Sequence, residues 1–189
     1  MFTKATLLSC LAAATLSSAA PTTKRDDLQP WEINSLGVFT PSGRPGSYPW
    51  STITANITDP NEITGTLESG DTVTIPGGNT AANCQAKWYS GTTPTGRVWP
   101  CDPTEDGYWI VEIMDGDDGF SSTNFDIKFT RVIDGIYSGQ RFTKTFEGST
   151  HMAVGDNLQG TCGGSGVCSW GLKEENRPAP VTQTEVSDE

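Results

Sequence analysis

Ser51-Thr52-Ile53-Thr54-Ala55-Asn56-Ile57-Thr58 decides the fold class. Ser51, Ile53, Ala55 and Ile57 fall on one side of an extended chain, and Thr52, Thr54, Asn56 and Thr58 on the other. That period of two marks a half-buried β-strand. Asp59-Pro60-Asn61 ends it, because proline has no N–H to give a ladder. Upstream, Trp31, Ile33, Leu36 and Val38 open the domain. Downstream, Thr72-Val73-Thr74-Ile75 reads as a shorter strand closed by Pro76-Gly77-Gly78. Residues 86–89 and 97–99 flank a turn region, Gly91-Thr92-Thr93-Pro94.

Residues 108–114 are the most apolar strand and are expected at the centre of a sheet. Asp115-Gly116-Asp117-Asp118-Gly119 follows as a turn. Phe125, Ile127, Phe129, Arg131 and Ile133 then alternate with Asn124, Asp126, Lys128 and Thr130. Asp134-Gly135 predicts a hairpin turn, with 136–146 pairing back. Residues 151–154 and 167–172 complete the set. No stretch holds a 3.6-residue period beyond two turns, and there is no internal repeat. The expectation is an all-β fold: a single antiparallel β-barrel or sandwich over residues 31–172, with disordered tails.

The flanks read differently. Lys4 supplies a basic start, 5–16 are nearly free of polar side chains, and Ser18-Ala19-Ala20 supplies small residues for cleavage. Residues 1–20 therefore read as a secretory signal peptide. Residues 21–30 read as a propeptide or disordered segment, with Lys24-Arg25 as a dibasic processing site. Cleavage there leaves nine basic against 23 acidic residues, a formal charge of −14. Residues 173–189 are charged, contain Pro178 and Pro180, and lack an apolar pattern, so they are expected to form a disordered acidic tail.

The full chain of 189 residues carries a formal charge of −11. That balance argues against nucleic acid, whose phosphates need a basic face, and against an anionic membrane. The single histidine, His151, excludes zinc or copper sites built on several histidines. No cofactor is expected. Cys10 falls in the leader. Cys84, Cys101, Cys162 and Cys168 remain, an even count that reads as two disulfides in an exported chain. Four cysteines allow three connectivities. The local one, Cys84–Cys101 and Cys162–Cys168, is preferred, each bridge joining neighbouring strands across a turn. A four-cysteine metal site lacks the CxxC spacing. With no odd cysteine left, the protein is expected to be a monomer or a non-covalent dimer.

Few residues invite chemistry. Asn56-Ile57-Thr58 is a glycosylation sequon on the polar side of its strand. Asp115, Asp117 and Asp118 are weak calcium candidates; turn chemistry explains them without a metal. Glu112, inside an apolar strand, is a weak candidate for a catalytic carboxylate facing a groove, and glycoside hydrolysis would need a second carboxylate opposite. Six tryptophans are many for this length. Most are expected in the core, with one or two exposed.

Trp31-Glu32-Ile33 after the processing region, Gly46-Ser47-Tyr48 leading into the 51–58 strand, and Cys84 followed by Lys87-Trp88-Tyr89-Ser90 and Cys101 form a pattern. With a second cysteine pair near the C-terminus, it resembles the Alternaria major allergen-like family of fungal secreted proteins, which includes plant-defence elicitors. The resemblance implies a compact β-barrel, export from a fungal cell, and a non-catalytic role at the host interface. There the partner would be a host extracellular protein or a small ligand. The stretches 62–80 and 130–154 look longer than the family core, so no family ligand contact is carried over. The leading expectation is a secreted effector or elicitor. The alternative is a secreted cell-wall polysaccharide hydrolase or carbohydrate-binding module using Glu112 and exposed tryptophans.

Overall fold

A computed structural model describes residues 28–186; the leader, the dibasic pair and residues 187–189 lie outside the described residues. The strands are β1 (Trp31–Thr40), β2 (Trp50–Asp59), β3 (Ile63–Thr66), β4 (Thr72–Ile75), β5 (Asn79–Tyr89), β6 (Val98–Pro100) and β7 (Gly107–Asp115). There follow β8 (Asn124–Tyr137), β9 (Gln140–Ala153), β10 (Leu158–Cys162), β11 (Cys168–Leu172), β12 (Ala179–Val181) and β13 (Gln183–Val186), with one 3₁₀ turn at Glu174–Asn176. Each named strand pair is antiparallel. The first sheet runs β10-β11-β1-β2-β5, with β12 beside the N-terminal half of β1; the second runs β13-β9-β8-β7-β6; β3 and β4 form a separate hairpin.

The all-β expectation holds, and the choice between barrel and sandwich resolves to a sandwich. Strands β5 and β6 lie close but share no ladder, so the two sheets face each other without closing. Between them Ile33, Val38, Ile53, Ile57 and Trp88 of the first sheet meet Trp109, Ile113, Phe125, Ile127 and Phe129 of the second in one buried cluster. Two facing apolar sides of this kind are the standard way for β-sheets to bury their pleated surfaces. The hairpin β3–β4 covers the extended end of β8–β9. Gly65 is required there, since a Cβ would stand 2.3 Å from the Phe142 ring.

Three expectations are corrected. The chain does not leave the fold at Leu172. Strand β12 pairs with β1 through Trp31↔Val181, and β13 pairs with β9 through Gln183↔Gly148. Val181 is fully buried. The apolar pattern of this segment is too short to show in sequence, because only Ala179 and Val181 face the core.

The β8–β9 turn lies at Ser138-Gly139, not at Asp134-Gly135. Ser138 and Gly139 both have positive φ, 51° and 79°, which is what a two-residue turn matched to strand twist requires. Gly135 instead makes room for the Tyr137 ring, which would stand 2.8 Å from a Cβ at that position.

The most apolar strand, β7, is one place from the centre, and the longer β8 is central. Its 14 residues give it two full partners, β7 and β9.

Candidate functional site

Both preferred cysteine pairs are at bonding distance, Cys84 with Cys101 and Cys162 with Cys168. Cys162 and Cys168 face each other across the β10–β11 ladder, as expected of neighbouring strands. The other pair differs. Cys84 is on β5, the edge of the first sheet, and Cys101 follows β6, the edge of the second. That bridge fastens one open side of the sandwich. Among the described residues no helix is long and apolar enough to cross a membrane.

Glu112 shares the outer side of β7 with Tyr108, Ile110 and Met114, while Trp109, Val111 and Ile113 point inward. Its ladder neighbours are Val98 on β6 and Lys128 on β8. Lys128 Nζ in turn lies 2.9 Å from Glu147 Oε2 on β9. Glu112 thus stands opposite Lys128, whose ammonium reaches diagonally to Glu147 on the outer side of the sheet. Two carboxylates flank a cation there, rather than a sugar-sized gap in a cleft.

Asp115 ends β7 opposite Phe125, and Asp117 and Asp118 occupy the β7–β8 connection, where Gly119 N–H donates to Gly116 O at 3.1 Å. Among the described residues no three carboxylate, histidine or cysteine side chains converge as metal ligands. His151 sits opposite Asp126, Nδ1 to Oδ1 2.6 Å, on the outer side of β8–β9. Asn56 lies at a bulge between β2 and β5. Its Oδ1 accepts the backbone N–H of Asn83 at 3.0 Å.

The most connected polar group in the molecule is one the pattern hid. Arg131 occupies an inward position of β8, in phase with Phe125, Ile127 and Phe129, and is buried. One guanidinium nitrogen meets Asp59 Oδ2, and the other lies 2.5 Å from Asp106 Oδ2. Its charge also rests 5.7 Å from the centre of the Trp109 ring. Asp106 Oδ1 accepts from Asn79 Nδ2, while Trp109 Nε1 donates to Asn79 Oδ1 at 2.8 Å. On the other flank, Asp59 Oδ1 accepts from the backbone and side chain of Asn61, at 2.8 and 2.7 Å. Asn61 pairs with the backbone of Gln29, whose carbonyl also takes a bond from Gln183 Nε2 at 2.7 Å. Burying a guanidinium costs several kcal/mol unless it is paired; the two carboxylates meet both terminal nitrogens, while Nε is buried without a partner.

A cleft of about 610 Å³ opens beside this network, lined by Pro76, Asn79, Thr104, Glu105, Asp106 and Tyr137 among others. Burial pushes the Tyr137 phenol above its usual range; the nearby Asp106 charge adds to the effect and Arg131 opposes it. The cleft's polar floor is already committed. Asn79 and Asp106 bond to each other and to Trp109 and Arg131, which ties these two lining residues into the sandwich.

Of the four large exposed aromatics among the described residues, Tyr108 lies on the Glu112 side of β7 and the other three gather elsewhere. Tyr48, Trp50 and Tyr89 are 53%, 38% and 56% exposed. Trp50 meets Tyr89 edge to face at 5.8 Å, and Phe39 lies 6.2 Å from Tyr48. Lys87 Nζ stands 5.8 Å from the centre of Tyr48 and 5.4 Å from that of Trp50. Trp31, Trp88, Trp109 and Trp170 are core residues, as expected for most of the six. Trp50 was open to prediction from its place on the Thr52–Thr54 side of β2; which aromatics would join it was not, because that depends on the pairing of β1, β2 and β5.

No family model, no curated protein and no solved structure matches this chain.

Proposed function

We propose that this protein is a secreted, non-enzymatic recognition protein, an effector or elicitor acting outside the cell on a host protein or small ligand. The observation that carries the reading is the contrast between its two outer faces. Glu112, the one carboxylate the sequence offered for catalysis, lies opposite Lys128 on the outer side of the second sheet, and Lys128 pairs with Glu147. The opposite sheet gathers Tyr48, Trp50 and Tyr89 around Lys87. Aromatic and cationic side chains of this kind dominate recognition energetics. The leader-like first twenty residues and two cysteine pairs fit export into an oxidising compartment.

Leaf tissue infiltrated with purified mature protein, beside a heat-denatured control, tests the reading. The folded protein is expected to change the defence response, and Glu112→Gln to act as wild type does. Sugar release from cell-wall polysaccharide that disappears in Glu112→Gln would replace this reading with the hydrolase one.

A further inference from the structure

We infer that the outer face of the first sheet binds an anionic, uronic-acid-bearing polysaccharide. The proposal rests on the recognition reading of this face and narrows its partner to a polysaccharide.

The first support is the distribution of charge. The chain has 23 acidic residues, yet none falls within 33–58, 72–101 or 157–173. Those three segments supply β4, β5, β6, β10 and β11, all of β2 but Asp59, and all of β1 but its first two residues. Asp59 is buried against Arg131 and contributes nothing to the surface. The same segments carry Arg44, Lys87, Arg97 and Lys173. Of those strands β5, β2, β1, β11 and β10 lie side by side in the first sheet, whose outer side holds one carboxylate, Glu32, paired with Thr58 at the end of β2 away from Trp50. A neutral sugar would gain nothing from that, since Asp and Glu accept hydroxyl hydrogen bonds well. A ligand that is itself negative would, because like charges brought together are strongly disfavoured.

The second support is the composition and shape of the face. Strand pairing sets Lys87, Thr52, Phe39, Ser169 and Thr161 in one row across five strands, and Gln85, Thr54, Gly37, Gly171 and Gln159 in the next. Trp50 and Tyr89 form a third, shorter row. At about 4.8 Å per strand the longer rows span roughly 19 Å. Neither row holds an aliphatic side chain. Gly37 has open space where a Cβ would be, so the middle of the second row is a shallow lane edged by hydroxyls and amides. Protein interfaces are centred on apolar anchors set into pockets, and this face has flat rings and hydrogen-bonding groups instead. Pyranose C–H faces pack on exposed Trp50, Tyr89 and Tyr48, ring hydroxyls reach the Thr and Gln side chains, and the uronate carboxylate meets Lys87 Nζ. Asn56 is six residues along β2 from Trp50, roughly 20 Å by strand rise, so a glycan there leaves the aromatic end open.

Affinity electrophoresis of the secreted protein in gels containing polygalacturonate tests the proposal. Parallel gels contain fully methyl-esterified polygalacturonate, a neutral β-glucan or polyglutamate. Polygalacturonate is expected to retard the protein, and added salt to weaken the effect. Lys87→Gln and Trp50→Ala should each weaken retardation by about tenfold, with unchanged thermal melting; Glu112→Gln should not. Absence of retardation by polygalacturonate would overturn the proposal. So would equal retardation by the esterified or neutral polymer, which removes the charge argument, or by polyglutamate, which points to an acidic protein partner. Retardation insensitive to both Lys87→Gln and Trp50→Ala would place the binding on another face. Leaf response is scored separately, so a protein that elicits a response without binding the polymer refutes this inference alone.

Discussion

Arg131 and Asp59 are both enclosed, each side chain about 1% exposed, and they pair across the interior from opposite sheets. Arg131 belongs to the central strand of the second sheet and Asp59 ends β2 of the first. Every element that enters or closes the sandwich nearby bonds into the same network: Asp106 before β7, Asn61 after β2, Gln29 before β1 and Gln183 of β13.

Breaking this pair is expected to be costly. Asp59→Asn should lower stability by about 3–5 kcal/mol, because it leaves a buried guanidinium short of a counter-charge. Removing both partners as Asp59→Leu with Arg131→Met should recover much of that loss. Urea midpoints of the single and double variants decide it; a single-variant loss below about 1 kcal/mol would show that Asp106 suffices.

The C-terminal segment is expected to be structural. A chain ending after Leu172 loses buried Val181 and Ala179 and the bonds from Gln183 to Gln29 and to the Trp31 backbone. Burial of one valine side chain alone is worth about 1.5–3 kcal/mol. Thermal melting of the truncated protein should show a drop of many degrees; an unchanged midpoint would contradict the pairing of β12 and β13. Gln183→Ala isolates the hydrogen bonds, at about 1–3 kcal/mol.

The two bridges should differ in weight. Cys84–Cys101 closes 17 residues and Cys162–Cys168 only six. Loop-closure entropy in the unfolded chain then assigns about 3 kcal/mol to the first and about 2 to the second. The first also fastens two sheets. Cys84→Ala with Cys101→Ala should therefore lower the melting temperature more than the Cys162/Cys168 pair of substitutions, and a reversed order would count against this assignment. Non-reducing peptide mapping should link Cys84 to Cys101 and Cys162 to Cys168.

The Tyr137 phenol should ionise later in the folded protein than in the unfolded chain. Its phenol is raised in the fold by burial, so the folded state holds the proton more tightly than the unfolded chain does. Its contribution is fully present below the unfolded value near pH 10 and is lost as pH rises through the folded value. Absorbance at about 295 nm, taken as the difference between wild type and Tyr137→Phe, should show a late-ionising phenol; a difference curve centred at the unfolded value would refute it.

Much of this molecule is local and could be read residue by residue. Alternation in 51–58 and 124–133 specified strands and their inward sides, since a period of two is a property of the extended chain itself. The cysteine spacing favoured the pairing the structure adopts. Other features needed partners distant in sequence. Arg131 stood in an inward phase, but only the approach of Asp59 and Asp106 makes a buried arginine tolerable. The hairpin turn depended on which two residues could take positive φ in register with both strands, so Ser138-Gly139 displaced Asp134-Gly135. The last strands carry too few apolar residues to declare themselves; they are ordered by vacant edges of β1 and β9.

The sequence by itself therefore determined an all-β chain with two cysteine pairs and an acidic balance, because composition and period are local. Only the tertiary structure decided that the sheets stack without closing, that Glu112 stands opposite Lys128 on an outer sheet face, and that the carboxylate-poor strands β5, β2, β1, β11 and β10 lie side by side. Those outcomes rest on strand order, and strand order is set by long-range pairing.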